Sequence, residues 1–177
     1  MDQKITRGYV HIYTGNGKGK TTAALGLALR AAGHGLRSYI GQFMKGQSYG
    51  ELNAVKLLSP LITIEQFGKD TFIHVDRATP EDIEMAQIGL DKIMKNMKTG
   101  NYQIIVMDEV NVALHLKVLK VEEVLSIIEA KPSPVELILT GRYAPDILIE
   151  RADLVTEMLE IKHYYQRGVA ARDGVER

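Results

Sequence analysis

A glycine-rich segment near the start of the chain carries the residue types that bind a nucleotide triphosphate. Residues 14–22 read Thr-Gly-Asn-Gly-Lys-Gly-Lys-Thr-Thr, between an apolar run over 8–13 and a helix-forming run over 23–32. A loop between a strand and a helix surrounds an anion with backbone N–H groups and the positive end of the helix dipole. There Lys20 reaches the outer phosphates, and the hydroxyl of Thr21 or Thr22 lies on magnesium. The predicted nucleotide-binding residues are Gly15, Asn16, Gly17, Lys18, Gly19, Lys20, Thr21 and Thr22.

The spacing of this loop is one residue short of the usual phosphate-binding pattern. Four residues normally follow the first glycine, whereas only three separate Gly15 from Gly19. Either Thr14 replaces the first glycine or the loop is shortened, and a shortened loop need not hold triphosphate in the usual pose. A glycine-rich hairpin turn is the structural alternative, although a turn does not need Lys-Thr-Thr at the start of a helix.

A pair of carboxylates follows a second strongly apolar run. Residues 102–107 end at Asp108-Glu109, and a carboxylate at the end of a buried strand can hold magnesium directly or through water. We predict a magnesium site made by Thr21, Asp108 and Glu109, with the choice between the two carboxylates left open. The alternative is that Asp108 caps the turn that follows.

Basic residues near these segments are candidates for phosphate contacts. Arg142 follows a predicted strand, where a guanidinium can pair bidentately with phosphate oxygens; a solvated loop arginine is the alternative. Lys18 and Lys45 are each either a phosphate contact or solvated. The five histidines form no site by their spacing, so we expect most of them to be structural or exposed. Catalysis here would depend on positioning and charge neutralisation.

Short apolar runs alternate with helical patterns, which is typical of a parallel sheet with helices on both faces. Strands are predicted over 8–13, 38–44, 61–67, 102–107, 135–140 and 154–161, and helices over 23–32, 51–58, 79–98, 121–130 and 145–152. Four polar clusters fall at strand ends, namely the glycine loop, 42–45, 108–109 and 140–142. Because ligands gather beyond the carboxyl ends of parallel strands, the pattern predicts an α/β domain with one site at that edge.

Composition limits the classes of function that are open to the chain. Its 177 residues fit one domain over 1–177, with 22 basic and 22 acidic residues, a balance that argues against a nucleic-acid partner. There is no cysteine, so disulfides and thiolate zinc sites are excluded. No apolar run is long enough to span a bilayer, and the first residues lack a signal-peptide pattern. We expect a soluble cytoplasmic protein.

Taken together, these segments resemble the P-loop type of ATP:corrinoid adenosyltransferase. The resemblance covers most of the chain and rests on residues 14–22, 30–35, 42–46, 106–109, 139–142, 146–148 and 152–153, followed by Glu157, 162–163, 168–169, Ala171 and 174–175. It implies a P-loop NTPase (RecA-like) three-layer fold with a mostly parallel sheet. It also implies a homodimer, and an electron-donating reductase as a partner.

The resemblance implies a specific reaction. In this family cob(I)alamin attacks the ribose 5′-carbon of MgATP, which gives adenosylcobalamin and triphosphate and needs no general base. Lys20 and Arg142 would be the catalytic cations. The family holds ATP reversed in the loop, with the γ-phosphate where the α-phosphate usually lies, and the shortened loop is where we expect that difference to arise.

The corrinoid side of the resemblance is carried by one aromatic residue. In the family a Gly-Phe-x-Trp element after the third strand packs beneath the corrin and makes Co(II) easier to reduce. Here residues 68–72 read Gly-Lys-Asp-Thr-Phe, and the chain has no tryptophan. Phe72 is therefore the candidate corrinoid contact, against the alternative of an ordinary core residue.

Two other functions compete with adenosyl transfer. A small-molecule kinase or ATPase on the same scaffold would release ADP instead of triphosphate. A non-catalytic nucleotide switch or a nucleic-acid partner is the second alternative, and the neutral charge and lack of an aromatic–basic stripe count against it.

Overall fold

A six-stranded sheet, in which every strand pairing is parallel, forms the centre of the molecule. The computed structural model describes residues 5–70 and 78–177. The strands are β1 (Val10–Thr14), β2 (Ser38–Phe43), β3 (Ile62–Phe67), β4 (Ile104–Asp108), β5 (Glu136–Thr140) and β6 (Leu154–Glu157). Their order in the sheet is β3-β2-β4-β5-β1-β6. The predicted α/β class with its parallel sheet is confirmed.

Helices cover both faces of the sheet. They are α1 (Lys20–Ala32), α2 (Gly50–Ala54), α3 (Pro80–Lys98), α4 (Val110–His115), α5 (Val121–Glu129) and α6 (Asp146–Arg151), with 3-10 turns at Val55–Leu58 and Tyr164–Arg167. None of the helices in the described ranges has the length and apolar character that a bilayer span requires.

Strand β4 shows how the sequence produces three layers. All five of its residues are buried, and side chains alternate between the two faces. Ile105 and Met107 join the apolar cluster that contains α3 and α5, whereas Ile104 and Val106 join the cluster that contains α1. A strand covered on both faces must be apolar throughout, which is why this segment reads as a continuous apolar run.

The structure differs from the predicted elements in two places near the site. Helix α4 was not predicted, because six residues are too few to show a helical period. The last strand ends at Glu157 instead of Ile161. There the chain turns to the glycine loop, where the backbone carbonyl of Met158 accepts a hydrogen bond of 2.6 Å from the N–H of Gly17.

Two helical glycines should respond oppositely to alanine. A Cβ at Gly89 would lie 2.8 Å from the Phe43 ring and 2.9 Å from the Phe67 ring, so Gly89→Ala should destabilise the fold by about 1–3 kcal/mol. A Cβ at the exposed Gly26 meets nothing within 4 Å, so Gly26→Ala should stabilise the fold by about 0.5–1 kcal/mol. Urea unfolding measures both changes, and equal shifts in the two variants would contradict the packing of α3.

Candidate functional site

The four polar clusters predicted at strand ends meet at one edge of the sheet. Strands β2, β4, β5 and β1 are consecutive in the sheet and parallel, so their carboxyl ends lie side by side. The glycine loop follows β1, Lys45 follows β2, Glu109 follows β4 and Arg142 follows β5. These residues surround a cavity of about 440 Å³. The structure therefore brings residues from all four predicted clusters together at one cavity.

The cavity lining includes most of the predicted nucleotide-binding residues. They are Gly17, Lys18, Gly19, Lys20, Thr21 and Thr22. The predicted metal ligand Glu109 and the predicted catalytic residue Arg142 also line the cavity. Gly15 and Asn16 are not among the lining residues, although the backbone carbonyl of Gly15 contacts Lys20. Asp108 is completely buried and lies beneath Thr21 and Lys45.

The glycine loop packs against the segment that follows β6. Gly15 and Gly19 have φ values of 90° and 120°, a conformation that favours glycine. A Cβ at Gly17 would lie 2.7 Å from the backbone oxygen atoms of Met158 and Leu159. The glycine spacing is therefore required both by backbone conformation and by the close approach of residues 158–159.

Lys20 lies across this loop as the first residue of α1. Its ammonium group donates hydrogen bonds of 2.7 Å to the backbone carbonyls of Gly15 and Gly17. Burial lowers the pKa of Lys20, and Glu109 opposes that effect. Within the described residues the ammonium is bound only by neutral carbonyls, so it can exchange them for phosphate oxygens.

The Asp108 carboxylate joins four elements. It accepts hydrogen bonds from the hydroxyl groups of Thr21 at 2.9 Å and Thr140 at 2.6 Å, and from the ammonium of Lys45 at 2.8 Å. The amide of Gln42 donates to it at 3.3 Å. The carboxylate therefore binds side chains across the site, and the capping alternative for Asp108 is wrong.

Lys45 lies against this carboxylate with most of its side chain covered, so the alternative that it is simply solvated is wrong. Its side chain is 15% exposed and that of Asp108 is 0% exposed. Burial acts to lower the pKa of Lys45, but the charge and hydrogen bond of Asp108 and the charges of Glu109 and Glu51 together outweigh burial, and the pKa is raised. Lys45 is therefore charged in the folded protein and forms an ion pair with Asp108.

Glu109 lines the cavity beside the hydrogen-bonded groups around Asp108. Its backbone is left-handed, with φ of 61°, and its N–H donates to the Thr140 hydroxyl at 2.9 Å. This conformation lets its side chain line the cavity. Burial, together with the charge of Asp108, raises the pKa of Glu109. A cation bound between the two carboxylates would remove that repulsion.

The oxygen donors at this point fit magnesium. A hydroxyl from Thr21 and carboxylates from Asp108 and Glu109 are the donor types that magnesium prefers, with water and phosphate completing its shell. No group of three His, Cys, Asp or Glu side chains within residues 5–70 and 78–177 could hold a metal without such help. The site therefore fits a cation that arrives with a phosphate ligand.

Arg142 is exposed and lines the cavity. Within the described part of the chain, its guanidinium has no hydrogen-bond or ion-pair partner. The next residue, Tyr143, has a left-handed φ of 62°, and its ring stacks on His115 with centroids 4.1 Å apart. The strained residue and its stacking partner fix the backbone beside a guanidinium that is available to an anion.

The C-terminal segment forms a wall of the cavity that the sequence did not predict. The Lys18 ammonium donates to the backbone carbonyl of Val175 at 2.7 Å and to the Glu176 carboxylate at 3.1 Å. Arg172 donates to both carboxylate oxygens of Glu176, and the Tyr164 hydroxyl also donates to it. Hydrogen bonds from Arg172, and then from Tyr164, hold the pKa of Glu176 well below its usual range. Lys18 is therefore tied to the C-terminal segment.

The histidines are divided between structural positions and the site. His11 pairs with Glu136, His34 is exposed and His115 stacks on Tyr143, which agrees with the prediction for these residues. His163 lines the cavity, which the sequence pattern did not reveal. His74 and the predicted corrinoid contact Phe72 lie outside the described residues.

The parallel sheet and the glycine loop define a P-loop fold. A KaiC-like protein from Pyrococcus horikoshii OT3 shares this fold, with a TM-score of 0.57 and 19% identity over 88% of this chain and 74% of that chain.

The family model for ATP:corrinoid adenosyltransferase BtuR/CobO/CobP matches residues 6–177, and the chain belongs to this family. A corrinoid adenosyltransferase from Pseudomonas aeruginosa is 34% identical over 99% of this chain and 89% of its own length. One from a Sinorhizobium species is 36% identical over 96% of this chain and 80% of its own length. The protein is therefore a transferase, and the resemblance seen in the sequence is confirmed.

The fold should depend on the Thr140 hydroxyl, which is hydrogen-bonded to the two residues at the end of β4. It donates to Asp108 and accepts from the N–H of Glu109. Thr140→Val keeps the shape but removes both hydrogen bonds, and should cost about 1–3 kcal/mol of unfolding free energy. Thr140→Ser keeps the hydroxyl and should lose less. Urea unfolding of both variants tests this, and a loss in Thr140→Ser as large as that in Thr140→Val would mean that the methyl group matters as much as the hydroxyl.

Proposed function

We propose that the protein transfers the adenosyl group of ATP to the cobalt of a reduced corrinoid and releases triphosphate. The observation that carries this proposal is the convergence of Lys20, Arg142 and Thr21 at one cavity beside the glycine loop, with Asp108 hydrogen-bonded to Thr21 below the cavity surface. Family membership supports the substrate class, because the relatives are named corrinoid adenosyltransferases.

The proposed reaction is a substitution at the ribose 5′-carbon. The electron pair of cobalt(I) forms the Co–C bond, the C–O bond to the α-phosphate breaks, and its electron pair leaves on triphosphate. Negative charge therefore grows on the leaving oxygen, and cations fixed at that oxygen stabilise the transition state. We assign this role to Lys20 and Arg142, whose side chains line the cavity.

Thr21, Asp108 and Glu109 would hold magnesium at the triphosphate. When bound, the metal supplies charge neutralisation of the polyphosphate. The hydrogen bonds from Thr21 and Thr140 orient Asp108 before any ligand arrives. Glu109, on its left-handed backbone, brings a second carboxylate to the cavity.

The loop would hold ATP in the reversed direction. The three-residue spacing between Gly15 and Gly19 supports this part of the proposal, since it departs from the pattern that binds ATP in the usual direction. With the γ-phosphate in the place of the α-phosphate, the ribose carbon would lie outside the loop and open to the corrinoid.

Further parts of the proposal concern partners. Phe72 is proposed to contact the corrinoid, and an electron-donating reductase to supply cobalt(I). We infer a cytoplasmic homodimer that binds no nucleic acid. The family resemblance supports the dimer and the reductase, and the absence of cysteine and the neutral charge balance support the location and the lack of a nucleic-acid partner.

The products of one reaction distinguish adenosyl transfer from phosphoryl transfer. With ATP, magnesium and chemically reduced cob(I)alamin, we expect adenosylcobalamin and triphosphate in equal amounts. Anion-exchange chromatography separates triphosphate from ADP, and the absorption spectrum reports the corrinoid. Release of ADP without adenosylcobalamin would favour the kinase or ATPase alternative.

Lys20→Ala should lower turnover by about 10²–10³-fold or more, because it removes a cation from the leaving group. The fold should persist, since within the described residues the Lys20 ammonium donates only to two loop carbonyls. The control is Lys56→Ala, because Lys56 is an exposed lysine whose ammonium contacts Asn53 away from the cavity. Adenosylcobalamin formation measures the effect, and circular dichroism checks the fold. Undiminished turnover would remove Lys20 from the mechanism.

A further inference from the structure

We propose that Lys45 is a further catalytic cation, which competes with magnesium for the oxygens of Asp108 and Thr21 and moves to the triphosphate when magnesium is bound. This inference rests on the proposed function, because it assigns a second position to a residue of the same site. It adds a third charged side chain to Lys20 and Arg142 at the leaving group.

The position of the ammonium group is the first argument. The Lys45 Nζ atom lies 2.8 Å from Asp108 Oδ2 and 3.3 Å from Thr21 Oγ1. These are two of the three side chains that fit magnesium. An ammonium held between a carboxylate and a hydroxyl therefore satisfies the oxygens that a divalent cation would use, and the two cations compete for them.

The second argument is that Asp108 does not need Lys45 for hydrogen bonding. The carboxylate already accepts hydrogen bonds from Thr21, Thr140 and Gln42. A buried ion pair adds little net stability, because removing both charges from water offsets their attraction. A lysine buried to 15% side-chain exposure against a fully buried carboxylate is therefore poorly explained by stability alone.

The third argument concerns where Lys45 can go. A divalent ion at Asp108 would repel the ammonium group over a few ångströms. Lys45 lines the same cavity as Lys20 and Arg142, so a triphosphate there is within the space that its side chain faces. The Tyr49 ring lies 5.4 Å from the ammonium and flanks it on the side of α2.

Two carboxylates compete with triphosphate as the second position of Lys45. Glu51 and Glu109 both line the cavity, and the negative charge of each helps to raise the pKa of Lys45. Glu51 already accepts a hydrogen bond of 3.1 Å from Gln42, and Glu109 is one of the proposed metal ligands. Triphosphate carries more charge than either, so it is the occupant that we assign.

The test uses two binding measurements on the full chain without turnover. The first is Mn²⁺ binding to the nucleotide-free protein, followed by electron paramagnetic resonance. The second is binding of inorganic tripolyphosphate in the presence of magnesium, followed by calorimetry. Lys45→Met should bind Mn²⁺ roughly fivefold more tightly, because the competing cation is gone. The same variant should bind tripolyphosphate about tenfold more weakly, because one charged donor is lost.

Changes of opposite sign distinguish this role from a structural one. Lys45→Gln provides a second neutral variant that can still donate to Asp108, and should show the same signs if Lys45→Met folds poorly. Lys45→Arg keeps the charge and should stay closer to the wild type in tripolyphosphate binding. Lys56→Met, at an exposed lysine, is the matched control and should change neither affinity.

Two results would overturn the inference. If a folded neutral variant binds Mn²⁺ more weakly, Lys45 helps to build the metal site instead of competing for it. If tripolyphosphate binding is unchanged, the Lys45 ammonium either moves to Glu51 or Glu109 or stays on Asp108. Both measurements are independent of product analysis, so this inference can fail while adenosyl transfer is confirmed, and the reverse also holds.

Discussion

The buried carboxylate of Asp108 is the interaction on which the site depends. It is fully enclosed at the end of β4 and receives hydrogen bonds from α1, from the end of β2, from Lys45 beyond that strand and from β5. A buried charge is tolerated only where such partners surround it. The same partners fix the start of α1 relative to the strands, so the position of the glycine loop depends on the hydrogen bonds of one carboxylate.

The sheet order explains why these partners can meet. Strand β4 lies between β2 and β5, and β1 lies beside β5, so four consecutive strands present their carboxyl ends together. Each strand supplies a different chemical group: a lysine, a carboxylate pair, an arginine and a loop of backbone N–H groups. Because they come from separate elements, their spacing is set by strand separation and not by sequence distance.

Local signals explain what the sequence predicted. The patterns of α3, of the apolar run of β4 and of the glycine loop each depend on neighbouring residues, and each element lies close to its predicted position. Three other features depend on contacts between distant segments. They are the ion pair of Lys45 with Asp108, the contact of Glu176 with Lys18 and the position of His163 at the cavity. No local pattern encodes those contacts. Helix α4 was missed for the opposite reason, because its signal is local but too short.

The first strand of the chain is paired with the last two. Val10 pairs with Leu137 in β5, and His11 pairs with Leu154 in β6, so β1 is synthesised long before either of its neighbours. Pairings of such long range form slowly. A nascent chain on the ribosome would therefore carry a complete glycine loop in its sequence but lack the frame that shapes it. The loop could take its shape only once β5 and β6 have been synthesised.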